Sequence, residues 1–158
     1  MSAALTSLGL GFHALATVIL IGQYILSALV ILPVMQRHVP EQEQVQLLLA
    51  FSTASRPWMY GSLLVFAATG TLLMITDPLY LGFLQIGNAW SVLMIVKHVL
   101  LIPWVFLCIS IDQNASRRLE PAQKEAPAAL LTRFRRMNGM AAAGGVLIIL
   151  MTSVMQAL

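Results

Sequence analysis

The chain has 158 residues, 59% of them hydrophobic and 9% charged, with a mean hydropathy of +0.85 and a formal net charge of +3. Soluble domains carry about a quarter charged residues, so this composition excludes a water-solvated surface and makes lipid the solvent. The excess of basic over acidic residues then reports membrane topology rather than nucleic-acid binding, and the single cysteine, Cys108, excludes an intrachain disulfide.

A helix needs about 20 apolar residues to cross a bilayer. The first run of that length is roughly Leu8–Val34. It lacks a basic n-region and a small-residue cleavage site, so it reads as a retained span rather than a secretion signal. His13, Thr17, Leu20, Tyr24 and Ser27 recur along it at helical spacing and share one stripe. Polar side chains in lipid turn inward, which directs that stripe to the bundle core.

QRHVPEQEQVQLLLAFSTASRPW follows. It reads as a solvated turn holding His38, then a short helix lying on the membrane with Val45, Leu48, Leu49 and Phe51 towards lipid. Pro57 suits the first turn of a second span, Trp58–Ile75, whose Ala67, Gly70 and Thr71 form a small-residue face. TDPLYLGFLQIGNAW is too apolar for a solvated loop and is expected in the interface, with Tyr80 and Trp90 at headgroup level.

The third span, Trp90–Ile111, contains VLMIVKHVLLIP, which sets Lys97 and His98 side by side in an apolar run. LLTRFRRM then reads as an amphipathic basic segment against an anionic leaflet. The last span, Asn138–Ala157, opens with GMAAAGG, where Gly139 with Ala143 and Ala141 with Gly145 allow close helix approach.

No Lys or Arg precedes the first span or lies between Ile75 and Trp90. Arg37 and Arg56 lie between the first two spans, and Arg117, Arg118, Lys124, Arg133, Arg135 and Arg136 between the last two. The positive-inside rule puts both basic loops in the cytoplasm and both termini outside. The expected fold is all-α: a single four-helix bundle over residues 1–158 in the inner (plasma) membrane.

Ionisable groups within a span are functional candidates by default. His13 lies roughly 8 Å, and His98 roughly 12 Å, inside the outer ends of their helices at 1.5 Å per residue. Two imidazoles at matching depth on different helices can grip a common guest. One candidate guest is b-type haem, held by two axial histidines for electron transfer. Another is copper(I), held by His13 and His98 with Met94, Met151 or Met155 as thioether ligands. In the third case no metal is held: the histidines bond a carbonyl or Tyr24, and the methionines fill the core. Lys97, turned about 100° from His98, either snorkels outward or pairs with a haem propionate, an anionic substrate or Asp77. No phosphate-cradling glycine loop, HExxH zinc spacing or pair of intramembrane carboxylates is present.

FHALATVILIGQYILSALVILP, with His13, Gly22 and Pro33, resembles the first helix of the CopD-type copper resistance and uptake membrane proteins, which carries an H…WxG…P pattern. AATGTLL, with Thr69 and Gly70, resembles that family's TG-containing helix. WSVLMIVKHVLL resembles its lysine-bearing helix through Lys97, and Arg117 and Arg118 follow as its basic loop does. The family's tryptophan would fall on Leu20, so its role does not carry over. His13 and Lys97 also resemble the corresponding pair in the HemJ-type protoporphyrinogen oxidases, which are associated with haem b. QYILSALVILP lacks the aromatic and arginine-rich run of that family, which argues against the same oxidase activity but not against haem.

The leading expectation is a CopD-like membrane protein whose His13 and His98, with Lys97 beside them, hold b-type haem near the outer face, as a membrane haem oxidoreductase would. Copper handling by the same histidines with Met94, Met151 and Met155 is the alternative. A non-catalytic assembly subunit is the third class. Expected partners are the bilayer, a redox protein or quinone, and a second copy through the small-residue faces.

Overall fold

The structure is a computed structural model that describes residues 3–82, 84–115, 117 and 128–155. Arg118 and Lys124, counted above for topology, lie outside the described residues. Helix α1 (Ala3–Leu26) passes through a π-helical turn, Ser27–Ile31, into α2 (Leu32–His38), so the three form one rod. Pro33 explains the turn. Its ring clashes with the carbonyl four residues back and it has no N–H to donate. The wider turn ahead of it relieves the clash, and Leu32 N–H donates to Ser27 O, five residues earlier.

Val39 and Pro40 are extended, and α3 then runs unbroken from Glu41 to Thr76. This corrects two expectations. The segment around residues 41–57 is not a separate interfacial helix, and Pro57 sits inside a helix rather than at its start. Val45 and Leu48, expected towards lipid, are 0% and 3% exposed and belong to the core with Leu131 and Phe134, while Leu49 is half-buried and only Phe51 is exposed. A helix of 36 residues is about 54 Å long, well beyond a hydrocarbon core of about 30 Å. Its first turns therefore pack on protein where the sequence suggested lipid.

The connection after α3 is organised by side chains. Asp77 Oδ1 accepts the Leu79 N–H at 2.9 Å, Asn88 Nδ2 donates to Leu79 O at 2.9 Å, and Asn88 Oδ1 caps α4 by accepting the Ser91 N–H at 2.7 Å. The Tyr80 and Trp90 rings meet edge to face at 6.3 Å. Helix α4 spans Ala89–Asn114, and α5 spans Ala128–Met155. LLTRFRRM is the beginning of α5 rather than a separate surface segment. Its Leu131 and Phe134 are buried, and Arg135 Nη2 donates to Gln44 Oε1 at 3.4 Å.

The expected all-α bundle is present: four helical segments are long and apolar enough to cross a membrane, and no strand occurs among the described residues. Helix α1 packs along α3 and α5, and α4 packs along α5. The small residues of α5 account for the close contacts. Gly145 lies against Ile21 of α1, Gly144 lies against the Trp104 indole of α4, and Trp104 Nε1 donates to Ala141 O at 2.7 Å. The backbones of α3 and α4, by contrast, stay apart along most of their length. Among the described residues these two helices are joined through side chains at Asp112. The end of the molecule holding Arg37, Arg56, Arg117, Arg133, Arg135 and Arg136 is called the basic end below, and the opposite one the terminal end.

Candidate functional site

His13 faces α3. Its Nδ1 lies 3.0 Å from Thr69 Oγ1, and its ring stacks on Phe66 with centroids 4.5 Å apart and planes 24° from parallel. The Thr69 hydroxyl donates to Val65 O at 2.6 Å. A hydroxyl has one proton, so Thr69 can only accept from the imidazole. Nδ1 therefore carries the hydrogen, and Nε2 carries the lone pair. Gly70 completes the cradle: a Cβ there would stand 3.1 Å from His13 Cε1. Thr17 Oγ1 donates to His13 O at 2.7 Å, so the inward stripe expected on α1 is observed, with Leu20, Tyr24 and Ser27 all buried.

Tyr24 serves the core and not a histidine. Its hydroxyl lies 3.3 Å from Met59 Sδ and 3.4 Å from Cys108 O. That second contact sets the register of α1 against α4, which run in the same direction. The pair is separated by 84 residues, and so are His13 and Lys97. Equal steps along parallel helices bring His13 and Lys97 to one level. Lys97 is half-buried. It forms no hydrogen bond or ion pair among the described residues. Asp77, its expected counter-charge, instead holds the Leu79 N–H.

His98 is placed differently. Its ring is exposed, and Nδ1 lies 2.8 Å from Met94 O on its own helix. A carbonyl only accepts, so Nδ1 again carries the proton and Nε2 is left bare. Among the described residues no hydrogen bond or ring contact joins His98 to His13, and the expected clasp is not closed by direct contact. The two do share a level. Asp112 of α4 bonds Ser52, Arg56 and Tyr60 of α3, and His98 precedes it by two heptads, which return a side chain to within roughly 40° of the same flank. The same two heptads beyond Arg56 reach Gly70 on antiparallel α3. His98 is exposed on α4, and its one hydrogen bond among the described residues is to its own helix.

The methionines expected as ligands lie on two helices. Met94 is half-buried and its carbonyl holds His98, Met151 is half-buried, and Met155 is buried near the end of α5. Among the described residues no group of three His, Cys, Asp or Glu side chains could hold a metal ion.

A second polar cluster lies near the basic end. Asp112, 8% exposed, accepts from Arg56 Nε at 3.1 Å, Ser52 Oγ at 3.2 Å and Tyr60 OH at 3.2 Å. The cluster bridges α3 and α4 where their backbones do not pack. Beside it is a cleft lined by Gln23, Ser27, Ser52, Asp112 and Asn138, with a volume of about 30 Å³. That is room for about two waters and far too little for a tetrapyrrole. Sequence reasoning counted Arg56 only as a topology charge and ended the third span just before Asp112. The available signal was the four-residue spacing of Ser52, Arg56 and Tyr60, which puts three donors on one face of a helix.

Comparisons with family models, with curated proteins and with solved structures find no match to this chain.

Proposed function

We propose that this chain is an inner-membrane protein that binds b-type haem between α3 and α4, with His13 Nε2 as an axial ligand, and that it transfers electrons. The observation that carries the reading is the Thr69 hydroxyl, which favours one His13 tautomer by accepting a hydrogen bond from Nδ1–H. Metal-bound histidines characteristically donate the other ring N–H in this way. His13 would hold the iron through Nε2. His98, with Nε2 also bare, is the candidate for the second axial ligand. Bound there, the haem supplies one-electron chemistry. Phe66 and Gly70 orient the imidazole, and Thr69 keeps its proton on the anchored nitrogen.

The resemblance to CopD-type proteins supports the same site, because Thr69 and Gly70, two of the positions it rests on, lie against the His13 imidazole. The basic end is read as cytoplasmic, which places both termini and the His13 level towards the outside. A protein purified in mild detergent is expected to be red, with a Soret band lost in His13→Ala. Colourless protein with stoichiometric copper would replace this reading with copper handling through the thioethers. Neither pigment nor metal, with stability unchanged in His13→Ala and His98→Ala, would leave an assembly role.

A further inference from the structure

Two polar side chains that line the cleft near the basic end have hydrogen bonds still to make. Asn138 is 3% exposed and Ser27 5% exposed, so both are held inside the bundle. Asn138 Nδ2 donates to Phe134 O at 3.0 Å on its own helix, and its Oδ1 makes no hydrogen bond among the described residues. Neither does Ser27 Oγ. Other hydroxyls of the spans behave differently: Thr17, Thr71 and Thr152 each donate to the carbonyl four residues back. Among the described residues, Ser91 Oγ is the side-chain atom sealed away without a partner. Ser27 Oγ and Asn138 Oδ1 instead open on the cleft. Ser27 is also the first residue of the π-helical turn, a feature that often marks functional sites.

A buried polar atom without a partner is costly, and native proteins supply one from protein or from ordered water. The cleft has a volume of about 30 Å³, room for about two waters. Charge restricts the guest further. Asp112, which lines the cleft, already faces the Arg56 guanidinium. A cation would bring an unbalanced positive charge into the bundle, and an anion would meet the carboxylate. An uncharged guest that both accepts and donates suits the Ser27 hydroxyl and the Asn138 carbonyl together.

We propose that this cleft is an intramembrane hydration site, in which ordered water accepts from Ser27 Oγ, donates to Asn138 Oδ1 and reaches the Asp112 cluster. The water joins α1 and α5 to the side-chain bridge between α3 and α4. A hydrogen-bonded path then runs from Asp112 to the π-helical turn of α1, through a core otherwise walled by Tyr24, Leu48, Met59 and Phe134. The site is independent of any group held at His13.

Hydroxyl radicals made by an X-ray pulse form from water and oxidise a methionine beside it. Met59 lines the cleft and is 3% exposed, whereas Met155 is 6% exposed and lies away from it. Exposure alone ranks Met155 above Met59, and hydration of the cleft reverses that order. With the full chain in nanodiscs, mass spectrometry is expected to show Met59 oxidised several-fold faster than Met155. Ser27→Val and Asn138→Leu, each checked for folding by thermal unfolding, should bring Met59 down to the Met155 rate. Equal rates in wild type, or a faster Met155, overturn the proposal without need of any variant. Folded variants that leave the Met59 rate unchanged also overturn it. Protection of Met59 by sodium chloride but not by choline chloride would put a metal cation in the cleft and overturn the uncharged guest.

Discussion

Thr69 Oγ1 accepts a hydrogen bond from His13 Nδ1–H at 3.0 Å while donating one to the Val65 carbonyl at 2.6 Å. One hydroxyl thus links the backbone of α3 to the ring of α1, and the direction of both hydrogen bonds follows from its single proton.

Replacing Thr69 by valine, which keeps the shape and removes the hydroxyl, leaves Nδ1–H unpaired inside the bundle. The expected loss of stability is about 1 kcal/mol, and the expected loss of haem affinity is on the order of 10- to 100-fold, the usual effect of removing a partner of a metal-bound histidine. Thr69→Ser should retain most of both. Soret titration and thermal unfolding read the two effects separately. Unchanged affinity in Thr69→Val would show that the tautomer does not matter to binding.

How much of this arrangement was legible in the sequence depended on how local each feature is. The four spans, the inward stripe of α1 and the Ala141–Gly145 face of α5 follow from periodicity within one segment and are present, whereas Gly139 and Ala143 are exposed and make no close helix contact. The boundaries came out short because hydropathy detects the lipid-crossing part of a helix and α3 and α5 continue beyond it. Glu41, Gln42, Glu43 and Gln44 lower the apolar signal, and Pro57 looked like a start, yet the backbone continues as a helix through both. The facing of His98 was not legible, since it depends on which flank of α4 meets α3. The partners of Asp112 lie 52 to 60 residues away on another helix, beyond the reach of any single-segment pattern.

That cluster gives a prediction about stability. Asp112→Ala removes the acceptor shared by Ser52, Arg56 and Tyr60 and should cost about 2 kcal/mol, the range for hydrogen bonds to a charged group. The Arg56 side chain is 40% exposed, so the ion pair as such adds little. Most of the loss should come from the two hydroxyls. Asp112→Asn keeps one acceptor oxygen and should fall between wild type and Asp112→Ala in thermal unfolding midpoint. Equal midpoints for both variants would mean the charge matters more than the acceptor.

Topology can be read by thiol accessibility. In a Cys108→Ser background, a cysteine at Leu79 should react with a membrane-impermeant maleimide added to intact cells, and one at Gln36 should react only after the cells are opened. The opposite pattern would invert the assignment of the basic end and contradict the positive-inside reading.

Glycines of α5 that look alike in GMAAAGG should respond with opposite signs. A Cβ at Gly145 would stand 2.6 Å from Ile21 Cγ2 and 3.4 Å from Ile21 Cβ. The neighbour is β-branched and stiff at χ1, so it cannot swing aside and α1 must move instead. Gly145→Ala is expected to cost about 1–3 kcal/mol, the range for overpacking a filled core. A Cβ at Gly139 meets nothing within 4 Å, so Gly139→Ala should be neutral or stabilising by up to about 1 kcal/mol through helix propensity alone. Thermal unfolding in one detergent measures both. If Gly139→Ala were instead the destabilising change, its face would have to be covered by a second chain in the membrane, and cross-linking from Gly139→Cys would then be expected to trap a dimer.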